Sequence, residues 1–184
     1  MKNINYRSII IVTTFAIVLA ISFRSFLFAS YVVDGKSMEP TLNDGNLLMV
    51  NKFIYELHEV DRFDVIVFQK NKQDAYVKRV VGLPGDEIEY KADEFYVNGE
   101  YREESFLDSS IVQASDTPPN TDDFTLTEKT GRDEVPEGKL FVMGDNRDSS
   151  LDSRSFGFIS MEQLVGKVDV KYWPLTQASF TLGK

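Results

Sequence analysis

The 184-residue chain has no cysteine and a single histidine. Without cysteine there is no disulfide, no thiolate nucleophile and no cysteine-based metal site. The one histidine, His58, stands in Glu56-Leu57-His58-Glu59-Val60-Asp61, an acidic segment expected at the surface and a poor setting for a catalytic base. Basic charge is also scarce. The whole chain carries −9, and residues 1 to 30 hold Lys2, Arg7 and Arg24 with no acid, leaving 17 basic residues against 29 acidic ones beyond residue 30. Such a surface repels a phosphate backbone, so nucleic acid is excluded as a partner. Long apolar runs are missing too, with one exception, Ser8 to Ser30. No sustained 3.6-residue period follows it, which excludes a helical bundle for the remainder.

That single run is interrupted only by Arg24. As a helix rising about 1.5 Å per residue it reaches roughly 34 Å, enough to cross a bilayer, with Arg24 near one end where it can snorkel to the headgroups. A cleaved secretory signal is the alternative, but cleavage after Ala29 would place Leu27 where a small residue is wanted, which favours an uncleaved anchor. Lys2 and Arg7 before the run and an acidic domain after it put the N-terminus in the cytoplasm and the domain outside. The chain therefore divides into an N-terminal segment and transmembrane anchor, 1–30, and one extracytoplasmic domain, 31–184.

The domain reads as all-β, a partly closed barrel or sandwich, from short β-branched and aromatic runs punctuated by turn residues. Strands are expected at Asn46 to Asn51, Asp64 to Phe68, Ala75 to Val81, Glu87 to Tyr90, Glu94 to Val97, Lys139 to Met143 and Gly166 to Tyr172. Leu83-Pro84-Gly85-Asp86 marks a turn, and Asn98-Gly99 a hairpin, since Asn and Gly tolerate positive φ. Polar residues 100–137, containing Pro118-Pro119-Asn120, are expected as a surface excursion with one strand at Phe124 to Thr127. The tail from Gln177 has too little apolar content for a second span.

Three stretches could carry chemistry. Gly35-Lys36-Ser37-Met38-Glu39-Pro40-Thr41-Leu42 sets a serine in a tight turn just past the anchor, though such a turn is also an ordinary prelude to a strand. A serine hydroxyl needs a base, and lysine is the partner left when histidine is unsuitable. It must be neutral to act, and at the ordinary lysine pKa about one molecule in 2,500 is neutral at pH 7, so the amine has to be buried. Tyr76-Val77-Lys78-Arg79-Val80-Val81 places two cations in an apolar strand. Alternation does not choose between them, but arginine cannot be deprotonated, so Lys78 is the candidate base, the alternative being a Lys-Arg pair on an exposed strand face. The third stretch is Gly144-Asp145-Asn146-Arg147-Asp148-Ser149-Ser150-Leu151-Asp152-Ser153-Arg154, too polar for a plain turn. It is no calcium loop, because Arg147 occupies a ligand position and Ser150 the place of the required glycine. Asp152 and Arg154 are spaced for an ion pair that stiffens the loop, and a serine hydroxyl there could orient a lysine amine, though on its residues alone the stretch also reads as a self-capping polar loop.

Together and in this order, these stretches resemble the type I signal peptidases, membrane-bound serine endopeptidases that remove signal peptides from exported proteins. Ser-Met-Glu-Pro-Thr-Leu at 37 to 42 is similar to the family's nucleophile segment, Tyr76 to Asp86 to its general-base segment, and Gly144 to Arg154 to its third signature. Lysine at 78 resembles the bacterial and organellar branch. The resemblance implies Ser37 as nucleophile and Lys78 as base, with the Lys78 amine hydrogen-bonded by Ser150 and the site braced by Asp145, Asp152 and Arg154. It implies no metal or organic cofactor, cleavage after small residues at the first and third positions before the cut, and preproteins and membrane lipid as partners. Some members carry a serine two residues before the nucleophile as an oxyanion donor. Here that residue is Gly35, which leaves the oxyanion to the Ser37 backbone N–H with a second donor unassigned; this glycine, the small domain and the single anchor resemble the Gram-positive members. Two rivals are a self-cleaving repressor-type protease of related fold and a non-catalytic anchored β-domain.

Overall fold

The computed structural model describes residues 6–107 and 121–174. Part of the 100–137 excursion and the tail from Gln177 therefore lie outside the described residues. Helix α1 (Tyr6–Leu27) gives way directly to strand β1 (Phe28–Val32), and β2 (Leu47–Asn51) folds back on it with Phe28 opposite Asn51 and Val32 opposite Leu47. The apolar run thus leaves the helix three residues sooner than the sequence indicates. Beta pairing claims the backbone of residues 28–30, and the Lys52 N–H bonds the Leu27 carbonyl at the junction. Counted over the described residues, no helix is long and apolar enough to cross a membrane; the α1 side chains at 8 and 23–26 are not among those described.

The rest is mostly antiparallel β. Helix α2 (Ile54–Leu57) leads to β3 (Val65–Gln69), β4 (Ala75–Gly82), β5 (Ile88–Lys91), β6 (Glu94–Val97) and β7 (Glu100–Arg102). Then come β8 (Phe124–Thr125), α3 (Leu126–Thr130), β9 (Lys139–Met143), α4 (Ser153–Phe156), β10 (Ile159–Ser160) and β11 (Leu164–Trp173). Among the described residues, one sheet runs β1-β2-β11-β3-β4-β9-β10 and a second β7-β6-β5-β8. The seven expected strands outside the excursion all form. The Asn98-Gly99 turn forms as well, with φ of 53° and 77°, and joins β6 to β7.

Two differences have physical causes. Phe124 to Thr127 is a strand only as far as Thr125, because Thr125 and Glu128 form a capping box that starts α3. The Glu128 N–H donates to Thr125 Oγ1 at 3.3 Å and the Thr125 N–H to Glu128 Oε2 at 2.9 Å. The described ends of the excursion are also not surface chain alone: β7 extends the second sheet, and Phe106, Thr121, Phe124 and Leu126 are buried.

Strand β3 is buried on both faces. Val65 and Val67 enter one cluster, with Met38, Leu42, Leu48 and Val50, beneath the turn that carries Ser37. Ile66 and Phe68 enter another, with Val80, Leu140, Val142 and Ile159. A strand buried on both faces reads as a continuous apolar run, as Val-Ile-Val-Phe does here. The second sheet packs Ile88, Tyr90, Phe95 and Val97 against Val81, Phe141 and Met143 of the first.

Candidate active site

Ser37 lies in the connection between β1 and β2. Met38 and Leu42, both essentially without solvent exposure, pin this connection to the core, and the Leu42 N–H closes a turn on the Met38 carbonyl at 2.8 Å. Gly35 has φ 95°, a conformation that favours glycine, and its N–H donates to Asp44 Oδ1 at 2.8 Å.

Lys78 comes from β4, where it pairs with Ile66 of β3. Its Nζ donates to Ser37 Oγ at 2.6 Å and to the Val77 carbonyl at 3.0 Å. The residue is 4% exposed. Burial pushes its pKa down to about 8, against the opposing pull of the Asp152 and Asp145 carboxylates.

Its neighbour Arg79, fully buried, grips Asp145 with two nitrogens, Nε at 2.8 Å and a terminal nitrogen at 2.7 Å, and donates to the Phe63 carbonyl at 2.8 Å. Its guanidinium lies 3.8 Å from the centre of the Phe106 ring. Asp145 also accepts from Thr41 Oγ1 at 2.5 Å, which ties the third stretch to the segment that carries Ser37. Lys171 of β11 donates to the Thr41 carbonyl at 3.0 Å.

The expected Asp152–Arg154 ion pair is present. Arg154 Nε lies 2.9 Å and a terminal nitrogen 2.8 Å from the carboxylate, while the Gly144 N–H donates at 3.1 Å. Burial alone would raise the Asp152 pKa, but Arg154 and the Gly144 amide outweigh it and hold the group below the ordinary carboxylate value. Ser150 Oγ is buried and has no hydrogen-bond partner of good geometry among the described residues. Gly144 is needed because the loop passes so close: a Cβ there would lie 2.2 Å from Ser150 Oγ and 2.3 Å from the Ser37 carbonyl oxygen.

The structure thus brings Ser37 and Lys78 into contact and sets Asp145, Asp152 and Arg154 in the surrounding network, but shows no Ser150–Lys78 hydrogen bond. His58 is exposed and lines a separate cavity of about 670 Å³ beside Tyr55 and Met161. A smaller cavity of about 280 Å³ opens on Ser37 and Lys78 between Val33, Met38, Val67, Tyr76, Val77 and Leu151. Sequence reasoning missed Thr41 and the Arg79–Asp145 pair. A cation that cannot lose its charge, set in an apolar strand, was the available signal, since it demands a buried carboxylate. Among the described residues no cluster of His, Asp and Glu is arranged to hold a metal.

Residues 6–173 match the model of the family described as signal peptidase, peptidase S26. Signal peptidase I of Bacillus caldolyticus is 53% identical over 165 residues, covering 90% of each chain. Signal peptidase I V of Bacillus subtilis is 44% identical over 153 residues, 83% of this chain and 90% of the relative. A solved structure of a signal peptidase I from Enterococcus faecalis superposes with a TM-score of 0.54 at 40% identity, over 60% of this chain and 97% of that one.

Proposed function

This chain belongs to the signal peptidase family, peptidase S26, whose serine endopeptidases remove signal peptides, and from that premise we propose that Ser37 and Lys78 form its catalytic dyad. The observation that carries the proposal is the 2.6 Å contact between Lys78 Nζ and Ser37 Oγ in a buried setting. With a pKa near 8, about one lysine in ten is neutral at pH 7, several hundred times the fraction of a free side chain. The contact along which the ammonium donates then serves, once the proton is gone, for taking the serine proton.

Ser37 Oγ adds to the scissile carbonyl carbon as its proton passes to Lys78. The tetrahedral intermediate collapses, the C–N bond breaks, and Lys78 returns that proton to the departing amine. Water then adds to the acyl ester, again losing a proton to Lys78, and the freed carboxyl end of the signal peptide leaves with Ser37 restored. The negative oxygen of each tetrahedral species rests on the Ser37 N–H, which donates to no other group among the described residues. Ser150 is assigned as a further partner of the Lys78 amine: an ammonium has three donors, two are engaged, and the buried Ser150 hydroxyl, beside Asp152, has no hydrogen bond of good geometry among the described residues. Asp145, Asp152 and Arg154 brace the loop beside the dyad.

The cavity beside Ser37 has the apolar side chains Val33, Met38, Val67 and Val77 in its wall, a surface that suits the small apolar side chains proposed before the cut. Helix α1 is assigned as the membrane anchor with its N-terminus cytoplasmic and the catalytic domain outside. Its 22 residues span about 33 Å, and among the described residues Ile9, Ile11, Phe15 and Leu19 are at least half exposed. The anchor keeps the site at the lipid surface, where the apolar part of a signal peptide also lies. Ser37→Ala and Lys78→Ala are each expected to abolish processing of a preprotein by the purified full chain, with His58→Ala close to wild type. An active Lys78→Ala variant would overturn the dyad.

A further inference from the structure

We propose that Asn146 is a positioning residue for the oxyanion, acting through the peptide unit that carries the Ser37 N–H; the proposal rests on Ser37 being the nucleophile. The Lys36–Ser37 peptide bond is trans, so the Lys36 carbonyl and the Ser37 N–H lie in one plane and point in opposite directions. Whatever fixes the carbonyl fixes the N–H. Asn146 Nδ2 donates to the Lys36 carbonyl at 3.1 Å, and the Asn146 backbone N–H donates to the Ser37 carbonyl, also at 3.1 Å. One residue therefore holds the peptide units on both sides of the nucleophile.

The Lys36 carbonyl has a second donor, the Glu39 N–H at 3.1 Å, but that bond lies within the same turn and moves with it. Asn146 ties the turn to the loop after β9, which is anchored by the buried Arg79–Asp145 pair. The approach is close enough that Gly144 has no room for a side chain beside the Ser37 carbonyl. A hydrogen bond to the Lys36 oxygen also polarises the amide and makes its N–H a stronger donor. This matters more here because Gly35 offers no side-chain hydroxyl and its own N–H is committed to Asp44.

The test uses the full chain in detergent micelles, a signal-peptide substrate, and a peptide aldehyde of the same sequence whose hemiacetal oxygen occupies the oxyanion position on Ser37. Asn146→Ala removes the side-chain donor, and Asn146→Asp keeps its shape while removing it; both retain the backbone bond to Ser37. Losing a direct oxyanion donor costs about 100- to 1,000-fold in kcat, and losing its orienter, with Glu39 still in place, is expected to cost about tenfold. KM should stay within about twofold, aldehyde affinity should weaken by the same factor as kcat, and the acid limb of the Asn146→Ala pH profile should not move. Unchanged kcat and aldehyde affinity in both variants would overturn the proposal, as would a loss carried by KM or a displaced acid limb. Failure of the dyad reading is read separately, from activity in Lys78→Ala.

Discussion

Two cations stand side by side in β4 and are buried by opposite means. Arg79 keeps its charge and is given a carboxylate at 2.7 Å; Lys78 is given a neutral hydroxyl and a carbonyl, so its charge is poorly compensated. The Lys78 pKa is about 8 in the fold against 10.5 for a free lysine. Between these values the unfolded chain binds more protons than the folded one, so stability rises with pH across that window, and below it the penalty is complete. Lys78→Met, which keeps the volume and drops the charge, is expected to be more stable than wild type at pH 7. The gap should narrow by about 3 kcal/mol on going from pH 7 to 10.5. Denaturant unfolding of the two proteins across that range measures it, and a gap independent of pH would mean that the amine carries no such penalty.

At the scale of elements, the site is a turn, a mid-strand position and a loop held together by buried polar ties. The turn carrying Ser37 follows β1, Lys78 sits within β4, and the loop after β9 closes on both segments through Thr41–Asp145 and Arg79–Asp145. Removing one partner of a buried pair strands the other, so Asp145→Asn is expected to cost about 3–5 kcal/mol in denaturant unfolding. Asp145 also raises the Lys78 pKa, so whatever folded variant remains should show its acid limb at lower pH than wild type. An unshifted limb would detach Asp145 from the electrostatics of the base. Much of this scale was legible in the sequence, because β-branched runs and glycine turns carry strong local signals, and β6 and β9 have the expected boundaries. What was not legible depended on partners distant in the chain. Strand β1 was hidden inside an apolar run and is set by pairing with β2; the pairing of Arg79 with Asp145 joins residues 66 positions apart. The Thr125–Glu128 capping box was a local signal, and it ends the expected strand early.

At the scale of the whole molecule, α1 is the proposed anchor of an acidic domain. Membranes washed at alkaline pH should retain the full chain and release a version beginning at Phe28; a full chain found in the wash would remove α1 as the anchor. The motifs singled out Ser37 and Lys78 before any coordinates, and the fold sets their side chains 2.6 Å apart. The cavity and the clamp around Ser37 were not readable, because shape emerges only when β2, β4 and the loop after β9 converge. The proposed chemistry depends on the charge state of the Lys78 amine in the intact fold. Nitrogen-detected NMR of the lysine side chains, with Lys78 assigned by its absence in Lys78→Met, follows that amine directly through a pH titration. A midpoint near 8 is the expected result, and a midpoint near 10.5 would contradict it.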